Sequence, residues 1–173
     1  MNINIFFILV LFVLTMILFL FKPLNIKQKE FKNIPLFNIS SFTIYELDTK
    51  GLTSFISGSK ATRYEDRYTI QDMDYTDNSK DYLANMKANS GIYKDEIINL
   101  IGDVVYFRED GLTFETQAAS YNQSSSVAKA KGKYVLYRDK NRVVGTNLRY
   151  NNLKNIVNSD NITAVYQIKK RNK

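Results

Sequence analysis

Beyond residue 35 the apolar side chains recur at every second position. In "DYLANMKA", Tyr82, Ala84, Met86 and Ala88 alternate with Asp81, Leu83, Asn85 and Lys87. Successive side chains of an extended strand point to opposite faces, so this pattern predicts a half-buried strand. The same alternation sets Leu112, Phe114, Thr116 and Ala118 against Thr113, Glu115, Gln117 and Ala119, and returns in Ile162, Ala164, Tyr166 and Ile168. Helical periodicity of comparable length is hard to find here. Turn-forming clusters separate the runs: "DTKG" at 48–51, "ISGS" at 56–59, "TDNSKD" at 76–81, "REDG" at 108–111, "NQSSS" at 122–126, "RDKN" at 138–141 and "NSDN" at 158–161. Short strands at this spacing, with Pro confined to Pro23 and Pro35, predict one all-β domain over 36–168, a sandwich or a barrel.

The head of the chain follows a different rule. From Ile5 to Phe21 every residue except Thr15 is apolar, a run of about 26 Å at roughly 1.5 Å per residue, enough to cross a hydrocarbon core with Ile3 and Asn4 helping. A cleaved signal peptide is the competing reading. Its apolar run is usually about 7 to 15 residues and ends in a small-x-small site, whereas this run leads into "KPLNIKQKEF". The expectation is an uncleaved anchor at 1–21 and a juxtamembrane linker at 22–35. With no Cys to acylate, a lipoprotein is excluded.

The body also repeats. Small-residue clusters lead into Tyr at "ATRY", "ANSGIY", "AASY" and "NLRY", ending at Tyr64, Tyr93, Tyr121 and Tyr150, with successive gaps of 29, 28 and 29 residues. About ten residues after each Tyr comes a polar step into an apolar run: Asp74-Tyr75, Asp103-Val104, Gly132-Lys133-Tyr134 and Asp160-Asn161-Ile162. A strand-turn-strand unit of this length, stacked on itself, buries a continuous core and leaves exposed ends.

Charge and composition narrow the chemistry. All charged residues lie beyond Phe21, so the net charge of +7 belongs to the body. Lys60, Arg63, Lys129, Lys131 and Lys133 have two readings, contact with phosphates or carboxylates of a ligand, or a solvated face in a Lys-rich chain. The end "IKKRNK", with a basic tail at 169–173, reads as a soluble end and not as a nucleic-acid site. The chain has no Cys and no His, which removes thiol nucleophiles, Ser-His pairs, His metal sites and disulfides. Glu65-Asp66, Asp72-Asp74 and Glu109-Asp110 could supply the two carboxylates of a glycosidase, but each pair sits in or beside a turn-like stretch, and Glu109-Asp110-Gly111 suits a hairpin turn. No catalytic residue, metal ligand or cofactor is expected.

One apolar span followed by "YELDTKGLTSFISGSKATRYEDRYTIQD", then "LIGDVV", "DGLTFETQAASY", "VVGTNLRYN" and "ITAVYQI", resembles the LptC family, inner-membrane-anchored periplasmic proteins of lipopolysaccharide export. The resemblance covers most of the body and rests on motif order together with the anchor. It implies an open twisted β-jellyroll built from stacked strand-turn-strand repeats, preceded by one N-terminal transmembrane helix. It further implies a hydrophobic groove for the acyl chains of lipopolysaccharide. The implied partners are an ABC transporter with its membrane subunits and ATPase, and a periplasmic bridge protein of the same fold that receives the lipid. The implied location is the inner membrane, single-pass, with residues 1–4 cytoplasmic and the C-terminal domain in the periplasm. A literal positive-inside count on Lys22, Lys27, Lys29 and Lys32 points the other way, although that count is weakest for long translocated domains.

Such a carrier makes physical sense, because each CH₂ exposed to water costs about 0.8 kcal/mol. The groove is expected to be lined by Tyr82, Met86, Leu100, Val104, Leu112, Phe114 and Leu148, the apolar sides of the period-two runs. Two readings of these positions stay open, a lined trough and an ordinary packed core. The last repeat has no successor, so a free sheet edge is expected around Gly145, Asn147, Arg149 and Tyr150, where a partner strand could add by β-augmentation. Gly145 suits either a close backbone approach or bulge, or a plain turn after "NRVV". The alternative function is a membrane-tethered β adaptor that scaffolds envelope proteins without binding lipid.

Overall fold

The computed structural model describes residues 3–20, 33–49, 51–79 and 81–168. The chain divides between Phe31 and Lys32 into two units. The first contains helix α1 (Ile3–Leu20), 18 residues without a charge, about 27 Å long at roughly 1.5 Å per residue. By length and composition it can cross a membrane. Its one hydroxyl is satisfied internally: Thr15 Oγ1 donates to the carbonyls of Leu11 (3.0 Å) and Phe12 (2.9 Å), so this mid-helix donor would not meet hydrocarbon unpaired. Phe21, most of the linker with its four Lys, and the basic tail lie outside the described residues.

The second unit is nine antiparallel strands: β1 (Phe37–Asp48), β2 (Gly51–Arg63), β3 (Tyr68–Asp77), β4 (Ala84–Lys94), β5 (Ile97–Arg108), β6 (Thr113–Asn122), β7 (Val127–Arg138), β8 (Asn141–Asn151) and β9 (Ile156–Val165). They form one sheet in chain order, each strand pairing only with its sequence neighbours. Among the described residues the outer flanks of β1 and β9 pair with nothing, so the sheet stays open. Five of the seven predicted turns fall between strands. "ISGS" instead lies inside β2, where the missing side chain of Gly58 leaves room for the Gln71 carbonyl and the Phe42 ring, which a Cβ would meet at 2.7 and 3.0 Å. "NSDN" lies inside β9.

The repeated Tyr positions mark hairpins. Tyr64 follows β2 directly, and Tyr93, Tyr121 and Tyr150 stand near the ends of β4, β6 and β8. One repeat is therefore one up-and-down strand pair. The polar steps ten residues on are not turns but irregularities in mid-strand. Positive φ occurs at Ser41, Asp72, Gly102 and Asp103, Gly132, Asn147 and Asn161, and the pairing register slips between each successive pair of strands from β4 to β9. Asn and Asp tolerate this left-handed backbone better than other side chains. A bulge bends its strand and sharpens the twist, so a line of bulges bends the whole sheet along one crease.

Candidate binding groove

On the inner side of that crease lie the most buried side chains of the sheet. Met73 pairs with Ala88, Val104 with Thr116, Thr116 with Tyr134, and Tyr134 with Gly145. Met73, Ala88, Leu100 and Val104 form one cluster, with Ile56, Ile70, Tyr75, Met86, Ile98 and Ala119 packed against it. One wall rises from the crease as a row in register, from Ile56 through Tyr75, Met86, Tyr106, Phe114 and Leu136 to Val143. The other begins with Ile70, Gly91, Leu100, Ala119, Ala130 and Leu148. Val104 is the one fully buried large side chain among the described residues, at 2 %; Met86, Phe114 and Leu136 are half-buried, and in the next row outward Ser54 and Ala84 are buried again. Residues of both rows pack against that one cluster, so the inner face of the bent sheet is apolar and partly packed.

The crease explains where the expected groove residues fall. Met86, Leu100, Val104, Phe114 and Leu148 all lie on the inner face. Tyr82 and Leu112 precede β4 and β6 and are half-buried at the strand ends, the Tyr82 ring beneath the Arg108 guanidinium at 4.8 Å. Strict alternation misses the phase slips. In β6 it is Ala119, not Ala118, that pairs with Leu100, and in β8 both Gly145 and Leu148 face inward across the slip at Asn147. The four residues expected at an edge, Gly145, Asn147, Arg149 and Tyr150, stand on β8, which pairs with β7 and β9. The free C-terminal edge is one strand further on, because the last repeat closes its own hairpin with β9. Gly145 is not a turn: it stands where the β8–β9 register shifts between Val144 and Thr146, as a bulge would require. It is a seat for the Tyr134 ring, whose Oη lies 2.6 Å from where a Cβ would stand.

Of the singled-out basic residues, Arg63 shares the inner face, in register with Tyr68. Lys60, Lys129 and Lys133 point outward by register. The carboxylates serve ion pairs. Asp66 takes Lys94 at 2.6 Å and Arg67 at 2.8 Å, and Asp74 takes Lys87 at 2.9 Å. Asp110 is held by Arg108, with Arg138 at 3.5 Å; hydrogen bonding from Arg108 lowers its pKa to about 2. Hydrogen bonding from Lys94 likewise lowers Asp66. Asp74 is lowered too, the hydrogen bonds from Lys87 and Asn85 outweighing a desolvation that alone would raise it. A general acid needs the opposite shift.

An open antiparallel sheet of nine strands with an apolar inner face, on a chain that also has a membrane-length helix, defines the class as an open β-jellyroll. The chain belongs to the LptC family: the family described as lipopolysaccharide-assembly, LptC-related, matches residues 7–167. In fold it is similar to the crystal structure of LptH, the LptA-homologous periplasmic component of the conserved lipopolysaccharide transport device from Pseudomonas aeruginosa. That similarity has a TM-score of 0.50 at 15 % identity and covers 79 % of this chain and 98 % of that one. No curated protein is similar enough to count as a match. Family and fold together place the chain in lipopolysaccharide transport, as a membrane-anchored periplasmic protein.

Proposed function

We propose that this protein is a non-enzymatic carrier that receives lipopolysaccharide from an inner-membrane ABC transporter and passes it along the trough to a periplasmic bridge protein. The observation that supports the reading is the continuous apolar row on the inner face, from Ile56 to Val143. Half-buried Met86, Phe114 and Leu136 expose CH₂, CH₃ and ring surface that acyl chains would cover, and each CH₂ so removed from water contributes about 0.8 kcal/mol. In this reading α1 holds the chain in the inner membrane, residues 1–4 stay cytoplasmic, and the domain at 36–168, joined to the anchor by the linker at 22–35, lies in the periplasm. The unpaired flanks of β1 and β9 offer backbone donors and acceptors to neighbouring strands. The β1 end, nearest the anchor in sequence, meets the transporter, and β9 meets the bridge protein.

The test is capture by photoreactive residues in the full-length protein. Placed at Met86 or Phe114 they should crosslink lipopolysaccharide, whereas placed at Val105 or Glu115, their outward neighbours, they should not. Equal capture from both faces, or none from the inner one, would falsify the carrier reading in favour of a lipid-free adaptor.

A further inference from the structure

The two rims of the trough are chemically unlike. One is the row Glu46, Ser54, Asp77, Ala84 and Arg108, in which Ser54 and Ala84 are buried. Its polar groups are largely used up within the protein: Ser54 Oγ donates to Glu46 Oε2 at 2.8 Å, and Arg108 Nε donates to Asp110 Oδ1 at 2.8 Å while its guanidinium covers Tyr82. The other rim is the row that starts at Arg63 and Tyr68 and continues through Tyr93, Ile98, Tyr121, Ala128 and Tyr150. Three of the four Tyr of the sequence repeat thus share one level of the sheet, joined by Tyr68. The Tyr68 and Tyr93 rings lie 6.3 Å apart and the Arg63 guanidinium sits 5.4 Å from the Tyr68 centroid. Tyr68 is 44 % and Tyr93 39 % exposed. Among the described residues the hydroxyls of Tyr68, Tyr93 and Tyr121 have no partner, whereas Tyr150 Oη donates to Asn152 and Asn155.

Tyr combines an apolar ring with a polar tip and suits a boundary where one end is dry and the other wet. Ring packing alone would be served by Phe; hydroxyls recurring at one exposed level give this rim a line of hydrogen-bonding groups that a polar ligand could meet. We propose that the Tyr rim contacts the sugar-phosphate headgroup of the lipid whose acyl chains lie in the trough. Hydroxyls of Tyr93 and Tyr121 bond sugar oxygens, the rings stack on sugar faces, and Arg63 meets a phosphate. The lipid then has one orientation across the trough, headgroup over the Tyr rim and chains toward Phe114. The proposal rests on the carrier reading and adds its direction.

The experiment maps which part of the lipid each position touches. A photoreactive residue replaces Tyr93, Ala84 on the opposite rim, or Phe114 on the wall of the full-length protein. The probe is lipopolysaccharide bearing core sugars without O-antigen, and the adducts are deacylated and weighed by mass spectrometry. Sugar-phosphate attached at Tyr93 and acyl fragments at Phe114 are expected. Sugar at Ala84, or acyl fragments on both rims, overturns the rim assignment while leaving the carrier reading intact. Absence of any adduct at Phe114 overturns the carrier reading itself. With the photoreactive residue at Tyr93, Tyr121→Phe should lower the sugar adduct about threefold, the size expected of one hydrogen bond, with the acyl adduct at Phe114 unchanged. Equal loss of both, or of neither, shows a packing role only and overturns the proposal.

Discussion

Tyr134 is buried because Gly145 opposes it. The ring occupies the space a side chain on the next strand would take, stacks on Phe114 with centroids 5.6 Å apart, and brings its hydroxyl to 2.9 Å from Ser159 Oγ, two strands away. Gly145→Ala would set a Cβ 2.6 Å from Tyr134 Oη and 2.8 Å from Cζ. The ring is held on both sides, so the strain is expected to cost about 1 to 3 kcal/mol. Gly132 differs: nothing lies within 4 Å of its missing Cβ, and its φ is +82°, so Gly132→Ala should cost only the left-handed backbone strain, roughly 1 to 2 kcal/mol. Denaturant unfolding of the two variants measures the contrast. If the Gly145 loss shrinks when combined with Tyr134→Phe, the ring is the cause, because contacting sites are not additive. An unchanged loss would place the strain elsewhere.

At the level of the strand, what was legible in the sequence was each half-strand separately. Alternation identified the inner sides of "DYLANMKA" and of Phe114 and Thr116, since the backbone is regular there. It failed at the crease, because Asp72 and Asn147 reach positive φ without Gly and an Asp or Asn within a polar run carries no distinct signal. The Asp95-Glu96 turn was invisible for the same reason: both residues have positive φ, a role for which Asn-Gly or Asp-Gly is the usual cue. The edge was misplaced by one strand, because the residues assigned to it belong to the first strand of the last hairpin, which β9 covers. The correction moves the handover test to β9. Of two successive residues on an edge strand one N–H faces inward and one outward, so Pro is placed at Thr163 and Ala164 in turn. The variant that still folds with a native spectrum should lose co-purification with the bridge protein by tenfold or more and keep the transporter. Retention of both partners, or loss of the transporter alone, would show that β9 is not the exit.

Across the β domain, hairpin repeats, a crease of bulges and an apolar inner face are one device. Antiparallel pairing satisfies the backbone without closing the sheet, and the positive-φ Asp72 in β3 with the register slips from β4 to β9 adds up into one bend. The repeat was readable because hairpins return Tyr to the same level. The openness was not, because a side chain that lines a trough and one that fills a core are the same residue types. Lining is thus the claim to measure. The chain has no Cys, so Phe114→Cys and Glu115→Cys each give a single labelling site, adjacent in sequence and on opposite faces of β6. With a polarity-sensitive dye on each in the full-length protein, lipopolysaccharide should shift the emission of the Phe114 label to the blue and leave the Glu115 label unmoved. An unmoved Phe114 label, or an equal shift of both, would contradict the trough.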